Sequence, residues 1–311
     1  MGMNKIPPFL LLLIATILWG GNFVIGRAVA NELPPFTLAF LRWCTACIVF
    51  LPLAWVPLKR DWLTIRKHFP AVLFMSFTGV ASFNTLVYIA LHHTTSINAS
   101  LMNTSTPILI YILSFIFLKE RLTRNQMIGT VISLIGVLFI ISKGSLASLL
   151  QFSFNLGDII MLVAVICWSA YSLLVKHFSG KLPGNATFLV SIFIGIIMLF
   201  PFFIYEVTNP AVHIIWSVTS ISSILYTGIF ASIVAFICWN TGVIRLGANK
   251  AGIYLNFIPV FAALFAVLFI GESLKVFQAA GGILVILGVF LTSREKIWGL
   301  RQKLNLSQQI K

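Results

Sequence analysis

Charge is what this chain has least of. Only 9% of its 311 residues are charged, with Asp and Glu numbering 7 against 21 Lys and Arg. Residues 69 to 118 pass without any of the four. Soluble domains carry roughly a quarter of their residues as charges, so a water-soluble globular fold is excluded. Cysteine is scarce as well: Cys44, Cys47, Cys167 and Cys238 all fall within apolar runs. Cys44 and Cys47 have the spacing of a redox or metal pair, yet no His or Cys partner lies near, and thiols so placed act as small packing residues. No cofactor or metal is expected. Carboxylates and imidazoles are missing from the middle of the apolar runs, which argues against an obligate proton relay.

Hydrophobic residues make up 59% of the chain, and its mean hydropathy is +1.02. A helix needs about 20 apolar residues to cross a hydrocarbon core of roughly 30 Å. Runs of that kind lie near residues 9–29, 37–57, 70–91, 97–118, 126–142, 157–176, 186–205, 220–242, 249–270 and 277–293. Barrel strands would alternate polar and apolar residues, which these do not. The expected fold class is an all-α integral membrane protein with ten transmembrane helices, its surface partner the lipid bilayer.

The net charge of +14 does not mark a nucleic-acid binder, because the cations are scattered between spans rather than gathered on one face. They read as topology signals. With a cytoplasmic amino terminus, every Lys and Arg except Arg27, Arg42, Lys143 and Lys275 falls in an inside segment. The positive-inside rule then puts both termini in the cytoplasm of a multi-pass cell-membrane protein. Ala28-Val29-Ala30 has the form of a signal-peptide cleavage site, but Arg27 abuts it and the preceding apolar run is long.

The chain also matches itself. A shift of 149 lays Trp19 on Trp168, Arg27 on Lys176, Pro34 on Pro183 and Pro52 on Pro201. A shift of 152 lays Ala99 on Ala251, Pro107 on Pro259, Glu120 on Glu272, Gly129 on Gly281 and Gly136 on Gly288. This implies a duplication, residues 1–150 and 151–311, with five spans in each copy. Five is odd, so the copies cross the membrane in opposite senses. The charges agree: Lys59, Arg60, Arg66 and Lys67 correspond to the uncharged Thr208, Asn209, Ile215 and Trp216. Arg27 and Lys176 are cationic in both copies, which reads as helix-end anchoring at the headgroups or, second to that, a role in the transport path. Inverted repeats around a central cavity can exchange conformations, which is alternating access.

The stretches Leu18-Trp19-Gly20-Gly21-Asn22-Phe23, Pro107-Ile108 through Lys119-Glu120, and Pro259-Val260-Phe261-Ala262-Ala263-Leu264 on to Gly271-Glu272 resemble EamA-type repeats of the drug/metabolite transporter superfamily. The likeness runs from about residue 9 to residue 293. It implies a ten-helix inverted-repeat fold whose cavity is lined mainly by the first, third and fourth helices of each half. It also implies transport of amino acids or related small metabolites, often outward, with peripheral fifth and tenth helices that can support a homodimer. Glu120 and Glu272 match the family's Glu after the fourth and ninth spans, where a boundary or capping role fits.

Polar and aromatic groups within spans are the candidates for contact with a small-molecule substrate, since unsatisfied amides in hydrocarbon are costly and turn inward. The first half offers Trp19, Asn22, Asn84, Tyr88, Asn103 and Tyr111; the second offers Trp168, Tyr171, Trp239, Asn240, Tyr254 and Asn256. The competing reading is that the amides bond helix to helix as structural glue. Asn84 and Tyr88 share one helical face, as do Asn103, Pro107 and Tyr111. Pro107 and Pro259, in mid-helix, would free a carbonyl one turn earlier and act as a hinge or break. Arg42 is the only cation well inside a span; it either meets a substrate carboxylate or snorkels to the surface.

These features point to a transporter of small amphipathic metabolites, most simply amino acids, rather than an enzyme; outward movement is what the resemblance implies. A nucleotide-sugar or sugar-phosphate carrier would need several cavity cations. A lipid-modifying membrane enzyme would need a catalytic cluster, for which only His92-His93 offers a start, in a loop and on diverging helix faces.

Overall fold

The structure is a computed structural model that describes residues 6–118, 124–145, 155–178, 180–246, 251, 254–288 and 290–291. Among them there are helices and no β-strand. The elements are α1 (Pro8–Ala28), α2 (Pro35–Lys67), α3 (Phe69–His93), α4 (Ser96–Asn103), α5 (Thr106–Leu118), α6 (Arg124–Ile141), α7 (Leu156–Phe178), α8 (Gly184–Thr208), α9 (Val218–Leu246), α10 (Ile258–Ile270) and α11 (Val276–Gly288). Seven spans among the described residues are long and apolar enough to cross a membrane, with α4 and α5 together forming one of them. Three shorter apolar helices, Met127–Ile140, Leu255–Ile270 and Val276–Gly288, occupy the other expected positions.

Large apolar side chains cover the outside. Ile48, Val56, Phe117, Phe269 and Val276 all stand exposed. Polar side chains go the other way: Asn22, Arg42, Ser76, Asn84, Asn103 and Thr104 are buried. Only a lipid surround makes that inversion favourable.

Proline opens the helices where its missing N–H costs nothing, at the first turns of α1 and α2. Pro52 and Pro57 lie inside α2, which nonetheless runs on past the expected residue 57 into a charged, water-facing extension ending at Lys67. Both α3 and α9 contain a π-helical segment, Ser76–Ser82 and Tyr226–Val234. Such segments leave carbonyls outside the regular ladder. Here they accept from tryptophan: Trp43 Nε1 donates to Val80 O and Trp19 Nε1 to Ala231 O, each at 3.0 Å.

The packing interlocks the early and late helices. α1 packs on α9 and α10, whereas α7 packs on α3 and α5, and α2 lies along α8. Gly20 allows the first of these approaches, since a Cβ there would sit 2.7 Å from Phe261 Cβ and 3.1 Å from the backbone N of Ala262. Its neighbour Gly21 faces the hydroxyl of Tyr226, which donates to Leu18 O at 3.0 Å. Helices α6 and α11 also meet backbone to backbone. Gly136 faces Gly281 and Gly288 faces Gly129, so the two helices cross antiparallel through small residues.

Candidate functional site

Arg42 lies seven residues into α2, about 10 Å from its start at the helical rise of 1.5 Å per residue, and it is 0% exposed. It does not snorkel. Its Nη1 donates to Asn22 Oδ1 at 3.2 Å, Asn84 Oδ1 at 2.7 Å and Tyr88 Oη at 2.6 Å. Nε donates to the hydroxyl of Ser232 in the π segment of α9, and Nη2 has no partner. Tyr88 Oη also donates to Asn22 Oδ1 at 2.9 Å. The guanidinium lies beside the rings of Trp43 and Tyr88, 5.1 and 5.8 Å from their centroids. One cation thus ties α1, α2, α3 and α9 together through neutral groups.

Asn22 and Asn84 also border a small central cavity of about 20 Å³, with Trp19, Asn103, Trp168, Phe236, Leu255 and Ile258 among its walls. That is room for about one water molecule. Trp19 and Trp168 meet edge to face at 5.6 Å, and Trp19 also touches Phe236 and Trp239, so the middle of the bundle is closed by aromatic rings.

Beyond that plug lies a wider cavity of about 150 Å³, near the α2–α3 turn and the α7–α8 loop. Tyr171, Thr187, Ser191 and Asn240 supply its polar lining; Met75, Val175, Phe178 and Phe188 supply apolar walls. Thr187 Oγ1 and Asn240 Oδ1 are buried without a hydrogen-bond partner. Orphan acceptors and donors beside open volume are what a polar solute satisfies.

The opposite end, where α1 turns into α2, is fastened. Glu206, at the end of α8, accepts from Phe36 N at 3.2 Å, and from Thr37 N at 2.6 Å and Thr37 Oγ1 at 2.8 Å. Glu272, following α10, accepts from Ser96 N at 2.9 Å and Ile97 N at 3.1 Å. Asp158 accepts from Thr94 Oγ1 at 2.9 Å and from Asn98 Nδ2, while Glu32 accepts from Ser217 Oγ. Each carboxylate joins the α1–α6 set to the α7–α11 set, and two of them cap helix N-termini, where anions are stabilised. Asp61, paired with Arg60, is the remaining carboxylate among the described residues.

The structure therefore gathers Trp19, Asn22, Arg42, Asn84, Tyr88, Asn103, Trp168 and Trp239 around the centre, and puts Tyr171 and Asn240 on the wider cavity. Tyr254 is half-buried against Phe257, and Asn256 Oδ1 is buried without a partner. The side chains of Tyr111 and Lys176, and all of Glu120, lie outside the described residues. Pro107 and Pro259 do not kink continuous helices. The chain already breaks at Thr104–Ser105 and in the 3₁₀ turn Leu255–Phe257, and each proline sits in the first turn of the helix that follows, where its ring fits. Arg27, half-buried in the last turn of α1, donates to Leu91 O at 2.6 Å. His92 and His93 form the last turn of α3 rather than a loop.

Ser232, Thr187, Ser191 and Phe236 were not among the candidates. The register of 149 that pairs the tryptophans also lays Arg42 on Ser191, and the register of 152 lays Asn84 on Phe236, so the self-match held a signal for those two; Thr187 and Ser232 fall on the apolar Leu38 and Val80 and had none.

A multi-helix bundle with a lipid-facing apolar skin, buried polar groups and an internal cavity defines a polytopic membrane protein. The EamA-like transporter family model matches residues 6–142 and again residues 155–294, and the chain belongs to that family. It is 27% identical to an uncharacterized transporter of Bacillus subtilis, covering 94% of this chain and 95% of that one. It is 29% identical to an uncharacterized transporter of Archaeoglobus fulgidus, covering 92% and 97%. A Salmonella typhimurium protein named a probable amino-acid metabolite efflux pump is 25% identical over 93% of this chain and 95% of its own. A solved crystal structure shares the fold with a TM-score of 0.64 at 19% identity, over 92% of this chain and 96% of that one.

Proposed function

We propose that the protein is a cell-membrane exporter of small amphipathic metabolites, amino acids foremost, working by alternating access between two inverted five-helix repeats with both termini in the cytoplasm. The observation that carries the proposal is the pairing of an open and a closed version of the same positions. In the registers of 149 and 152, Tyr171, Ser191 and Asn240 of the wider cavity correspond to Asn22, Arg42 and Tyr88 of the fastened cluster. Under the positive-inside assignment the wider cavity faces the cytoplasm, and the fastened end faces out.

Three further features support this reading. The corresponding residues Trp19 and Trp168 touch, as they would beside a two-fold axis. The corresponding glycines of α6 and α11 cross antiparallel. The family model fits twice, in series. The printed name of the Salmonella typhimurium relative supports amino acids and outward movement.

The test is counterflow of labelled amino acids, sugars and nucleotides in liposomes holding the purified protein. Asn22→Leu and Asn103→Leu should depress transport while detergent-extracted protein stays monodisperse. Equal loss of folding in both would make the amides structural glue. Chemical modification of a lipid with no solute movement would overturn the proposal.

A further inference from the structure

We propose that Arg42 is the subsite for a solute's carboxylate, so that the carrier takes small monocarboxylates with an apolar body and uses that group to release the fastened end. The inference rests on the transport reading above.

The Arg42 guanidinium is 0% exposed, yet all its partners, Asn22, Asn84, Tyr88 and Ser232, are neutral. Removing a cation from water without a counter-charge is expensive, and the described carboxylates that might pay for it are committed at the bundle end. The donors are also unevenly used. Nη1 has two hydrogens and three oxygens within 3.2 Å, while Nη2 has two hydrogens and no partner. A carboxylate satisfies two guanidinium nitrogens side by side, in the planar fork that suits arginine and not lysine.

Exchange of partners is cheap here. Tyr88 Oη already donates to Asn22 Oδ1, so both keep a hydrogen bond when the anion takes Nη1; Asn84 Oδ1 gives up its bond while Asn84 Nδ2 still donates to Gly79 O, and Nε still holds Ser232. The anion thereby replaces the bonds that run from α2 to α1 and α3. Without it, parting those helices would leave a bare cation in a low-dielectric interior. With it, the charge is neutralised before the end opens. The adjoining central cavity has room here for only about one water, so a solute body must part its walls; those walls, Trp19, Trp168 and Phe236, are apolar rings that suit an apolar body rather than a sugar. Among the described residues neither that cavity nor the wider one is lined by Lys, which a doubly charged phosphate would need as a second cation.

A chloride ion offers the same charge, and the experiment separates the two. Proteoliposome counterflow is measured with pairs that differ only in the carboxylate, phenylalanine with phenethylamine and leucine with isopentylamine, and with radiolabelled chloride. Wild type should move the carboxylated member at least about tenfold faster, and Arg42→Gln should bring the ratio to about one. Arg42→Lys, which keeps the charge but not the fork, should fall between. Ser232→Ala should raise the KM for the carboxylated member. If Arg42→Gln does not fold, these last two variants decide the matter. Movement of neither member by wild type would overturn the transport reading itself. Equal movement of both members by wild type, or an unchanged ratio in Arg42→Gln and Arg42→Lys, would overturn the carboxylate subsite and leave transport standing. Chloride movement that tracks Arg42 with no carboxylate preference would assign the site to the inorganic ion and overturn it too.

Discussion

Three positions that the sequence registers pair lie in different surroundings at the two ends of this bundle: Asn22, Arg42 and Tyr88 are closed in, whereas Tyr171, Ser191 and Asn240 border open space. Where α1 meets α2, four carboxylates reach across from one helix set to the other, and Arg42 gathers Asn22, Asn84, Tyr88 and Ser232 beneath them. At the α2–α3 end, Tyr171, Ser191 and Asn240 line open space, and among the described residues no carboxylate bridges the sets. Instead Arg245 donates to Ile6 O at 2.7 Å, and the ring of His68 lies 5.7 Å from that of Phe178. The lesson concerns energy as much as shape. Hydrogen bonds to charged acceptors are worth about 1.5–3 kcal/mol each, so a fastened end must be compensated when it parts. Orphan groups at the other end, Thr187 Oγ1 and Asn240 Oδ1, gain when a solute arrives.

The comparison can be broken in several ways. Filling the open end should have the largest effect: Thr187→Trp should cut counterflow by more than about tenfold, the scale of loss expected when a bound solute is displaced by an ångström or more, with monodispersity in gel filtration retained. Removing the plug between the ends comes next. Trp19→Ala deletes ring contacts to Trp168, Phe236 and Trp239 and the bond to Ala231 O, and should lower stability by about 3–5 kcal/mol in thermal unfolding of the detergent-solubilised protein. Loosening the fastened end is milder. Glu206→Ala and Glu272→Ala each remove a helix cap and should cost about 1–2 kcal/mol, seen as a lower Tm together with faster thiol labelling at the α1–α2 end. Smallest is Trp43→Phe, which strips Val80 O of its donor at a cost of about 1 kcal/mol in the same unfolding assay and leaves the cavity walls in place.

Much of this was legible in one dimension. Scarce charge and long apolar runs fix the membrane class, because hydropathy is a property of composition. Buried asparagines and Arg42 stood out because such groups are rare in apolar helices, and most of them converge in the structure. What escaped has physical reasons. The π-helical segments Ser76–Ser82 and Tyr226–Val234 share a Thr-Gly pair, Thr78-Gly79 and Thr227-Gly228, but that pair does not by itself spell a π turn; in the structure the two glycines meet Tyr171 and Thr45 closely. Ser232 matters only because that π segment aims its hydroxyl at Arg42. Pro107 and Pro259 marked a hinge or break, and breaks lie at Thr104–Ser105 and Leu255–Phe257; what an apolar run with one proline does not tell is that the break comes just before the proline rather than at it. Glu272 read as a helix-end residue, but nothing local revealed that the N-terminus it caps belongs to α4, nor that Glu206 caps α2.

The central claim is that the fastened and open ends trade states. It is tested most directly by labelling two single-cysteine variants, made after replacing Cys44, Cys47, Cys167 and Cys238, with a membrane-impermeant thiol reagent. Val87→Cys borders the central cavity on the fastened side, and Asn240→Cys lines the open one. In the resting protein Asn240→Cys should react and Val87→Cys should not; with transported solute present, reactivity should rise at Val87→Cys as it falls at Asn240→Cys. Labelling that stays fixed at both positions, or rises and falls at both together, would contradict the account.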